Sequence, residues 1–172
     1  MRPARGHETG LPTRRSIRLR DFDYSRPGAY YVTICTHGRK PLLAELHLGA
    51  LKPTGPGRIV MQCWVDLPLH FDRVSLDIYA LLPDHLHGVL NLGERREMLA
   101  EGVHPRSGDL GTIIRSFKAA TTREINIWGG TPGERVWQRG YHEHVIRDSR
   151  DLGRVQTYIG ENPMSWIEEC GG

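Results

Sequence analysis

The sequence contains few cysteines and no long apolar stretch, and both absences narrow its class. Its three cysteines are odd in number and none forms a CxxC pair, which argues against a disulfide framework and against a zinc knuckle. No run of about 18 apolar residues is present, and the arginine-rich N-terminus lacks the apolar core of a secretory signal. We therefore expect a cytoplasmic protein without a membrane-spanning segment.

The chain as a whole also lacks a large excess of either charge. Its net charge of +3 favours a polyanionic partner such as nucleic acid only weakly. The distribution is more informative, because the first 20 residues hold six arginines and a single acid, Glu8. This basic arm, residues 1–24, either neutralises phosphates or is a solvated tail. The length of 172 residues suits one domain spanning residues 1–172.

Apolar periodicity predicts alternating strands and helices. The predicted elements, in chain order, are a strand over 29–37, a helix over 56–71 that Pro68 ends or kinks, strands over 74–82 and 85–92 joined by a turn at "PD", a surface loop over 93–108, a helix over 109–128 capped by Asp109 or Ser107, a strand over 135–147, and a helix over 148–162 that Pro163 ends. This order matches the split βαβ, ferredoxin-like pattern. The predicted fold is α+β, with an antiparallel sheet of four to five strands, helices on one face and the other face available for a ligand.

Two His-x-His pairs are candidate sites. Alternate residues of a strand share a face, so His85 and His87 of "LLPDHLHGVLNL" project the same way and can chelate one metal ion. The same reasoning puts His142 and His144 of "YHEHV" on one face of the fourth strand. One of the two pairs is expected to have no such role, because the pattern is common by chance. The first pair directly follows an apolar strand and turn, which favours it. The second pair lies among charged residues, as expected near a sheet edge or a phosphate-contacting surface.

The last predicted helix carries a second group of polar residues. Tyr158 and Asn162 are one turn apart, beside an apolar stripe that would dock the helix on the sheet. A tyrosine in such a place usually only packs, but beside a histidine pair it becomes a candidate nucleophile, with the amide oxygen as a third metal ligand. Imidazole and amide oxygen suit Mn²⁺ or Mg²⁺ with open positions. An ion held there would act as a Lewis acid on a phosphodiester that Tyr158 attacks.

Several motifs resemble those of a known enzyme family. The stretches "PDHLHGVL", "IIRSFKAATTREIN", "VWQRGYHEHVIRD" and "YIGENPMSW" occur in the order and spacing found in the single-tyrosine HUH transposases. Together with "RRSIRLRDFDYSRPGAYYVTICTH", the similarity covers residues from about 14 to 166. Within that family the chain resembles the REP-associated tyrosine transposase group.

The resemblance implies a residue-level function. His85 and His87 would be the metal ligands, Tyr158 on a C-terminal helix the nucleophile, and Asn162 the last ligand, where related insertion-sequence enzymes have Gln. The implied activity is cleavage of single-stranded DNA next to imperfect palindromic hairpins, through a 5′-phosphotyrosine and a free 3′-OH, with Mg²⁺ or Mn²⁺ as cofactor. The resemblance also implies a monomer that associates with the nucleoid when bound to DNA, whereas the insertion-sequence relatives are dimers that exchange their tyrosine helices.

Further residues are predicted to contact DNA. The "GAYYVT" stretch, residues 28–33, resembles a signature associated with reading the bases that flank the hairpin. Aromatic residues could stack on unpaired bases, and cationic residues and histidines could contact phosphate. A packed or solvated side chain is the alternative for each of them. The predicted set is Arg14, Arg15, Arg18, Tyr30, Tyr31, Arg115, Lys118, Arg139, His142, His144 and Arg147.

Two other functions remain open from the residues alone. The first is a non-catalytic module that binds hairpin DNA or RNA on its sheet, with the histidines serving only as polar contacts. The second is a phosphoesterase that uses His85 and His87 as acid and base. This last alternative leaves Tyr158 and Asn162 without a role.

Overall fold

A computed structural model describes residues 22–94 and 108–170. The strands are β1 (Gly28–Cys35), β2 (Ala44–His47), β3 (Ala50–Pro53), β4 (Val74–Leu82), β5 (His85–Leu92) and β6 (His142–Ile146). The helices are α1 (Gly55–Val65), α2 (Leu67–His70), α3 (Leu110–Gly129) and α4 (Ser149–Cys170). The predicted basic arm and surface loop fall mostly on residues 1–21 and 95–107, which lie outside the described ranges.

Four strands form one antiparallel sheet in the order β4-β5-β1-β6. This arrangement confirms the predicted α+β class and the four-stranded sheet. The strands β4 and β5 form the predicted hairpin, and β1 separates β5 from β6. As a result the first histidine pair lies on an inner strand and the second pair lies on an edge strand.

One face of the sheet is covered by α1 and α3. Alternate residues of β1 and β5 point toward these helices and are fully buried. Trp64 of α1 crosses β5 at Gly88 so closely that a Cβ atom there would lie 2.4 Å from the indole ring. Trp64 also packs edge-on against Phe117 of α3, with 5.5 Å between ring centroids. Together these contacts fix the height of α1 above the centre of the sheet.

The opposite face is partly covered by α4, so it is not left entirely open as predicted. The predicted stripe of α4, Leu152, Val155 and Ile159, packs on Ala80 and Val89 of the sheet. Gln156 also donates to the Asp77 carboxylate of β4 over 2.9 Å. The helix thus lies across the face that carries the histidines and leaves only part of it accessible.

A β-bulge in β4 supports this docking. Leu76 pairs with Leu90 and Tyr79 pairs with Gly88, so two residues of β4, Asp77 and Ile78, oppose one residue of β5. The bulge turns the Asp77 carboxylate toward Gln156 and brings Ile78 against Gly160 of α4. An irregularity in an edge strand therefore provides part of the surface on which α4 rests.

Most predicted boundaries are confirmed within a few residues. Asp109 caps α3, because its carboxylate accepts from the Thr112 amide over 2.7 Å. Pro68 does interrupt the second predicted element, which divides into α1 and α2. The Asp148 carboxylate accepts from the Asp151 amide over 2.8 Å and so caps the start of α4.

Two predictions about elements were wrong, and one hairpin was not predicted. Pro163 does not end α4, which continues to Cys170, because apolar contacts on both sides of the proline, from Ile159 and Trp166, hold the helix on the sheet. The strand predicted over 135–147 is shorter in the structure, where β6 spans only His142–Ile146, because Gly140 adopts a positive φ of 82° just before it. The hairpin of β2 and β3 was not predicted, because its turn uses a leucine at positive φ.

None of the helices in the described ranges is long and apolar enough to cross a membrane.

Candidate active site

The histidines of β5 form the floor of the site. His85 and His87 lie on the same face, as predicted, and only 8% and 4% of their surfaces are exposed. Their Nε2 atoms are 2.8 Å apart, and the two rings are nearly perpendicular. Two metal–nitrogen bonds of about 2.1 Å at a right angle would span about 3 Å. The pair therefore has the separation that chelation of one ion requires.

The outer nitrogen of His85 is held by an acidic partner. Its Nδ1 donates to the Asp84 carboxylate over 2.6 Å, and the Arg39 guanidinium contacts the other carboxylate oxygen at 2.8 Å. Because the carboxylate only accepts, the ring proton lies on Nδ1 and the inner nitrogen of His85 carries a lone pair. A carboxylate behind a ligand histidine is the usual outer shell of a metal site.

The outer nitrogen of His87 is held by two hydroxyl groups of β1. Tyr31 Oη is 2.7 Å and Thr33 Oγ1 is 2.8 Å from His87 Nδ1. The Tyr31 ring also stacks on the His87 imidazole, with centroids 5.6 Å apart and an angle of 24°. Burial raises the pKa of Tyr31 to about 12, so its hydroxyl stays protonated at neutral pH.

Both imidazoles are neutral in this environment. Burial lowers the pKa of His85 below its ordinary value. Burial, and then the neighbouring His85, lowers the pKa of His87 to about 3. A neutral imidazole is the form that binds a metal ion, since protonation would occupy the lone pair. Neither ring therefore carries the positive charge that would repel a cation at neutral pH.

The helix α4 brings two further groups over this floor. The Tyr158 ring lies edge-on to His87, with centroids 5.5 Å apart, and 53% of its surface is exposed. The Asn162 amide nitrogen lies 3.4 Å from His87 Nε2. A half-turn of the amide group exchanges its nitrogen and oxygen, so the oxygen can take that place. The structure thus brings together all four residues of the predicted site.

The four residues line one open cavity of about 640 Å³. Its further lining residues are Tyr31, Thr33, Cys35, Arg39, His142, Glu161, Ser165 and Trp166. Sequence reasoning missed Arg39, Asp84 and Thr33 as partners of the histidines. The adjacency of Asp84 to His85 could have indicated the first contact, and the strand alternation of "YVT" could have indicated that Thr33 shares a face with Tyr31. Trp166 lies one turn beyond Asn162 and was missed because the helix was expected to end at Pro163.

The donor set fits a divalent cation with open coordination positions. Within residues 22–94 and 108–170, no cluster of three His, Cys, Asp or Glu side chains could hold a metal ion. The protein donors that meet in the cavity are the imidazoles of His85 and His87 and the amide of Asn162. Three protein ligands leave coordination positions for substrate oxygens, whereas a closed structural zinc site has four.

The second histidine pair shares the face but not the setting. His142 lines the edge of the cavity and is exposed, at the position where β6 pairs with Thr33 of β1. His144 Nε2 lies 2.8 Å from the Asp151 carboxylate in the first turn of α4. The prediction of an edge position for this pair is confirmed. Contact of either residue with DNA stays a prediction.

Two of the predicted DNA contacts have other partners. Tyr30 points into the core on the opposite face, is fully buried, and donates to the Arg26 carbonyl over 2.8 Å, so its predicted stacking on a base is wrong. Lys118 donates to the Gln138 and Gly140 carbonyls over 2.6 and 2.8 Å, and therefore braces the segment that precedes β6.

The remaining predicted DNA contacts are arginines. Arg139 and Arg147 are exposed near β6, and Arg115 is exposed on α3, the helix that covers the face opposite the site. Contact of these three residues with DNA stays a prediction. Arg14, Arg15 and Arg18 lie outside the described residues.

Comparison with known proteins identifies relatives of the chain. An uncharacterized protein of Haemophilus influenzae is 32% identical to the chain. The alignment is 175 positions long and covers 95% of each chain. A second protein of Haemophilus influenzae, described as a "Putative REP-associated tyrosine transposase", is 27% identical over 143 residues, or 83% of this chain and 73% of the relative. No family model matches the sequence.

A solved structure shares the fold. A REP-associated tyrosine transposase bound to a REP hairpin superposes with a TM-score of 0.57 and 21% identity, over 80% of this chain and 67% of that one. Sequence relatives that span most of the chain, a shared fold and the order of the motifs agree with one another. The chain is therefore similar in sequence to a protein described as a putative REP-associated tyrosine transposase and shares the fold of a solved one.

Proposed function

We propose that the protein is a metal-dependent endonuclease and strand transferase that cuts single-stranded DNA beside a hairpin through a tyrosine. The observation that carries this proposal is the position of Tyr158 and Asn162 directly above the His85–His87 pair in one cavity. A hairpin substrate is supported by the related transposase structure, which holds a REP hairpin.

The nucleophile would be the hydroxyl oxygen of Tyr158. It forms a bond to the scissile phosphorus while the bond from phosphorus to the 3′ oxygen breaks. The phenolic proton is released, and the leaving 3′ oxygen takes up a proton to become a free 3′-OH. The DNA 5′ phosphate remains on Tyr158 as a phosphotyrosine, which keeps the phosphoryl group available for transfer to another 3′-OH.

The histidine pair and Asn162 would hold a Mg²⁺ or Mn²⁺ ion, whose charge polarises the scissile phosphate. His85 and His87 contribute their inner lone pairs, and Asp84 keeps the first ring in the required tautomer. Tyr158 is more than half exposed, so a DNA strand can approach its hydroxyl. The packing of α4 on the sheet holds the tyrosine beside the histidines before the substrate arrives.

We also propose that the protein acts as a monomer, in which α4 packs on the sheet of its own chain and one chain supplies all four site residues.

The proposal is tested by trapping the covalent intermediate. The wild-type protein is incubated with Mn²⁺ and labelled single-stranded hairpins from the flanks of its own gene, and the products are separated on a denaturing gel. We expect a labelled protein band that Tyr158→Phe abolishes while hairpin binding persists. The control Tyr30→Phe removes a buried phenol hydroxyl on the other face and should leave the band intact. An adduct that survives in Tyr158→Phe would show that another residue is the nucleophile.

The same assay separates the proposal from a non-catalytic hairpin-binding module. Such a module would bind the hairpin equally well with EDTA and would give no cut product with Mn²⁺ or Mg²⁺. A histidine phosphoesterase would cut DNA without any covalent adduct and would tolerate Tyr158→Phe.

A further inference from the structure

Two hydroxyls of β1 surround the outer nitrogen of His87. Tyr31 Oη and Thr33 Oγ1 lie 2.7 and 2.8 Å from Nδ1, and Thr33 Oγ1 also donates to Tyr31 Oη over 3.1 Å. We propose that Tyr31 and Thr33 are positioning residues that fix the ring orientation of His87 and can hydrogen-bond its outer nitrogen in either tautomer. This inference rests on the proposed function. It gives part of the "GAYYVT" stretch a role at the metal ligands in place of base reading.

The hydrogen bonds assign the tautomers of the metal-free site. Asp84 accepts from His85 Nδ1, so the inner nitrogen of His85 carries no proton. The two inner nitrogens are nevertheless 2.8 Å apart, a hydrogen-bond distance, so the proton between them belongs to His87 Nε2. His87 Nδ1 must then accept, and its donor is the Tyr31 hydroxyl, because Thr33 donates its single proton to Tyr31 Oη.

A cation at the inner nitrogens requires the opposite tautomer of His87. Both inner nitrogens must then offer lone pairs, so the proton of His87 has to lie on Nδ1, which becomes a donor. A hydroxyl can both donate and accept, so Tyr31 and Thr33 can support either tautomer by rotating their O–H bonds. A carboxylate, such as the one behind His85, would support only one. The two histidines are thus held by chemically different partners because only His87 must exchange its tautomer.

The adjacent tyrosine offers a matched control. Tyr30 is fully buried on the opposite face and donates to the Arg26 carbonyl. Tyr30→Phe removes the hydrogen bond to the Arg26 carbonyl, whereas Tyr31→Phe removes the contacts to His87 and Thr33. Tyr31→Phe also retains the ring that stacks on the imidazole.

The first test reads the tautomer directly in metal-free protein by ¹⁵N NMR of the histidine rings. The wild type should show His87 protonated on Nε2. The double variant Tyr31→Phe, Thr33→Val should shift the His87 Nδ1 resonance, because that nitrogen loses its hydrogen-bond partners, while Tyr30→Phe should match the wild type. A His87 signal unchanged in the double variant would overturn the proposal, whatever the protein does with metal or DNA.

The second test measures Mn²⁺ binding to the DNA-free protein by calorimetry. Tyr31→Phe and Thr33→Val should each weaken the affinity by about 10–100-fold, as is typical for partners behind a metal ligand. Thr33→Ser, which keeps the hydroxyl, should restore it, and Tyr30→Phe should have no effect. Equal affinity in all variants would refute the positioning role. Absence of Mn²⁺ binding in the wild type would instead refute the metal site of the proposed function, and the NMR result would still decide the tautomer question.

Discussion

The two His-x-His pairs have the same spacing and the same sheet face, yet the structure treats them differently. His85 and His87 lie on an inner strand, almost without exposure, and each outer nitrogen has a partner in the protein. His142 and His144 lie on the edge strand β6 and are exposed. Position in the sheet, rather than the motif, buries one pair and places it beside Tyr158.

Substituting one histidine of each pair tests this comparison with the largest expected effect. His87→Ala removes a predicted metal ligand and should lower the rate of hairpin cleavage by more than about 100-fold, since even partners behind a ligand cost 10–100-fold. His142→Ala, at the cavity edge, should lower it by less than about tenfold, and mainly through substrate affinity. Single-turnover cleavage of a labelled hairpin at saturating protein measures both. Equal losses in the two variants would contradict the distinction between the pairs.

Gly88 tests the packing that fixes the inner strand. A Cβ atom at Gly88 would meet the buried Trp64 indole, so Gly88→Ala should lower the free energy of unfolding by about 1–3 kcal/mol. Gly153 of α4 has open space around it, and Gly153→Ala should raise stability by about 0.4–1 kcal/mol. Urea unfolding followed by circular dichroism gives both values. An unchanged free energy of unfolding in Gly88→Ala would show that the Trp64 indole can move aside and that its contact does not fix β5.

The smallest effect is expected at the junction of β6 and α4. Hydrogen bonds from His144 and from the Arg147 amide lower the pKa of Asp151 below its ordinary value of 3.8. The carboxylate therefore stabilises the fold above about pH 4, and this contribution is lost as the pH falls through the lower pKa of the folded state. Urea midpoints between pH 2 and 6 should fall more in the wild type than in Asp151→Asn. Parallel curves would show that this contact does not contribute to stability.

The sequence was sufficient for the parts of the site that depend on local periodicity. Strand alternation placed His85 and His87 together, and helical spacing placed Tyr158 beside Asn162. The partners of the outer nitrogens could not be found in this way, because Tyr31 lies 56 residues from His87 and meets it only through strand pairing.

Propensity rules failed where long-range packing compensates for a local cost. Pro163 removes one backbone donor from α4, but contacts of Ile159 and Trp166 with the sheet keep the helix continuous. Tyr30 and Tyr31 looked equivalent as candidates for base stacking, yet adjacent residues of a strand face opposite sides. Only the placement of β1 between β5 and β6 decides which tyrosine reaches the site.

The bulge in β4 links the length of an edge strand to the position of Tyr158, the proposed nucleophile. Leu76 and Tyr79 face the same side of the sheet although they are three positions apart, which a regular strand would not allow. The extra residue of the bulge restores the alternation of faces along β4. Deleting Asp77 or Ile78 would make the pairing of β4 with β5 more regular. It would also move the surface that contacts Gln156 and Gly160, which lie two residues before and after Tyr158. An insertion or deletion at this edge is therefore expected to move Tyr158 relative to the histidines, although the edge lies outside the site.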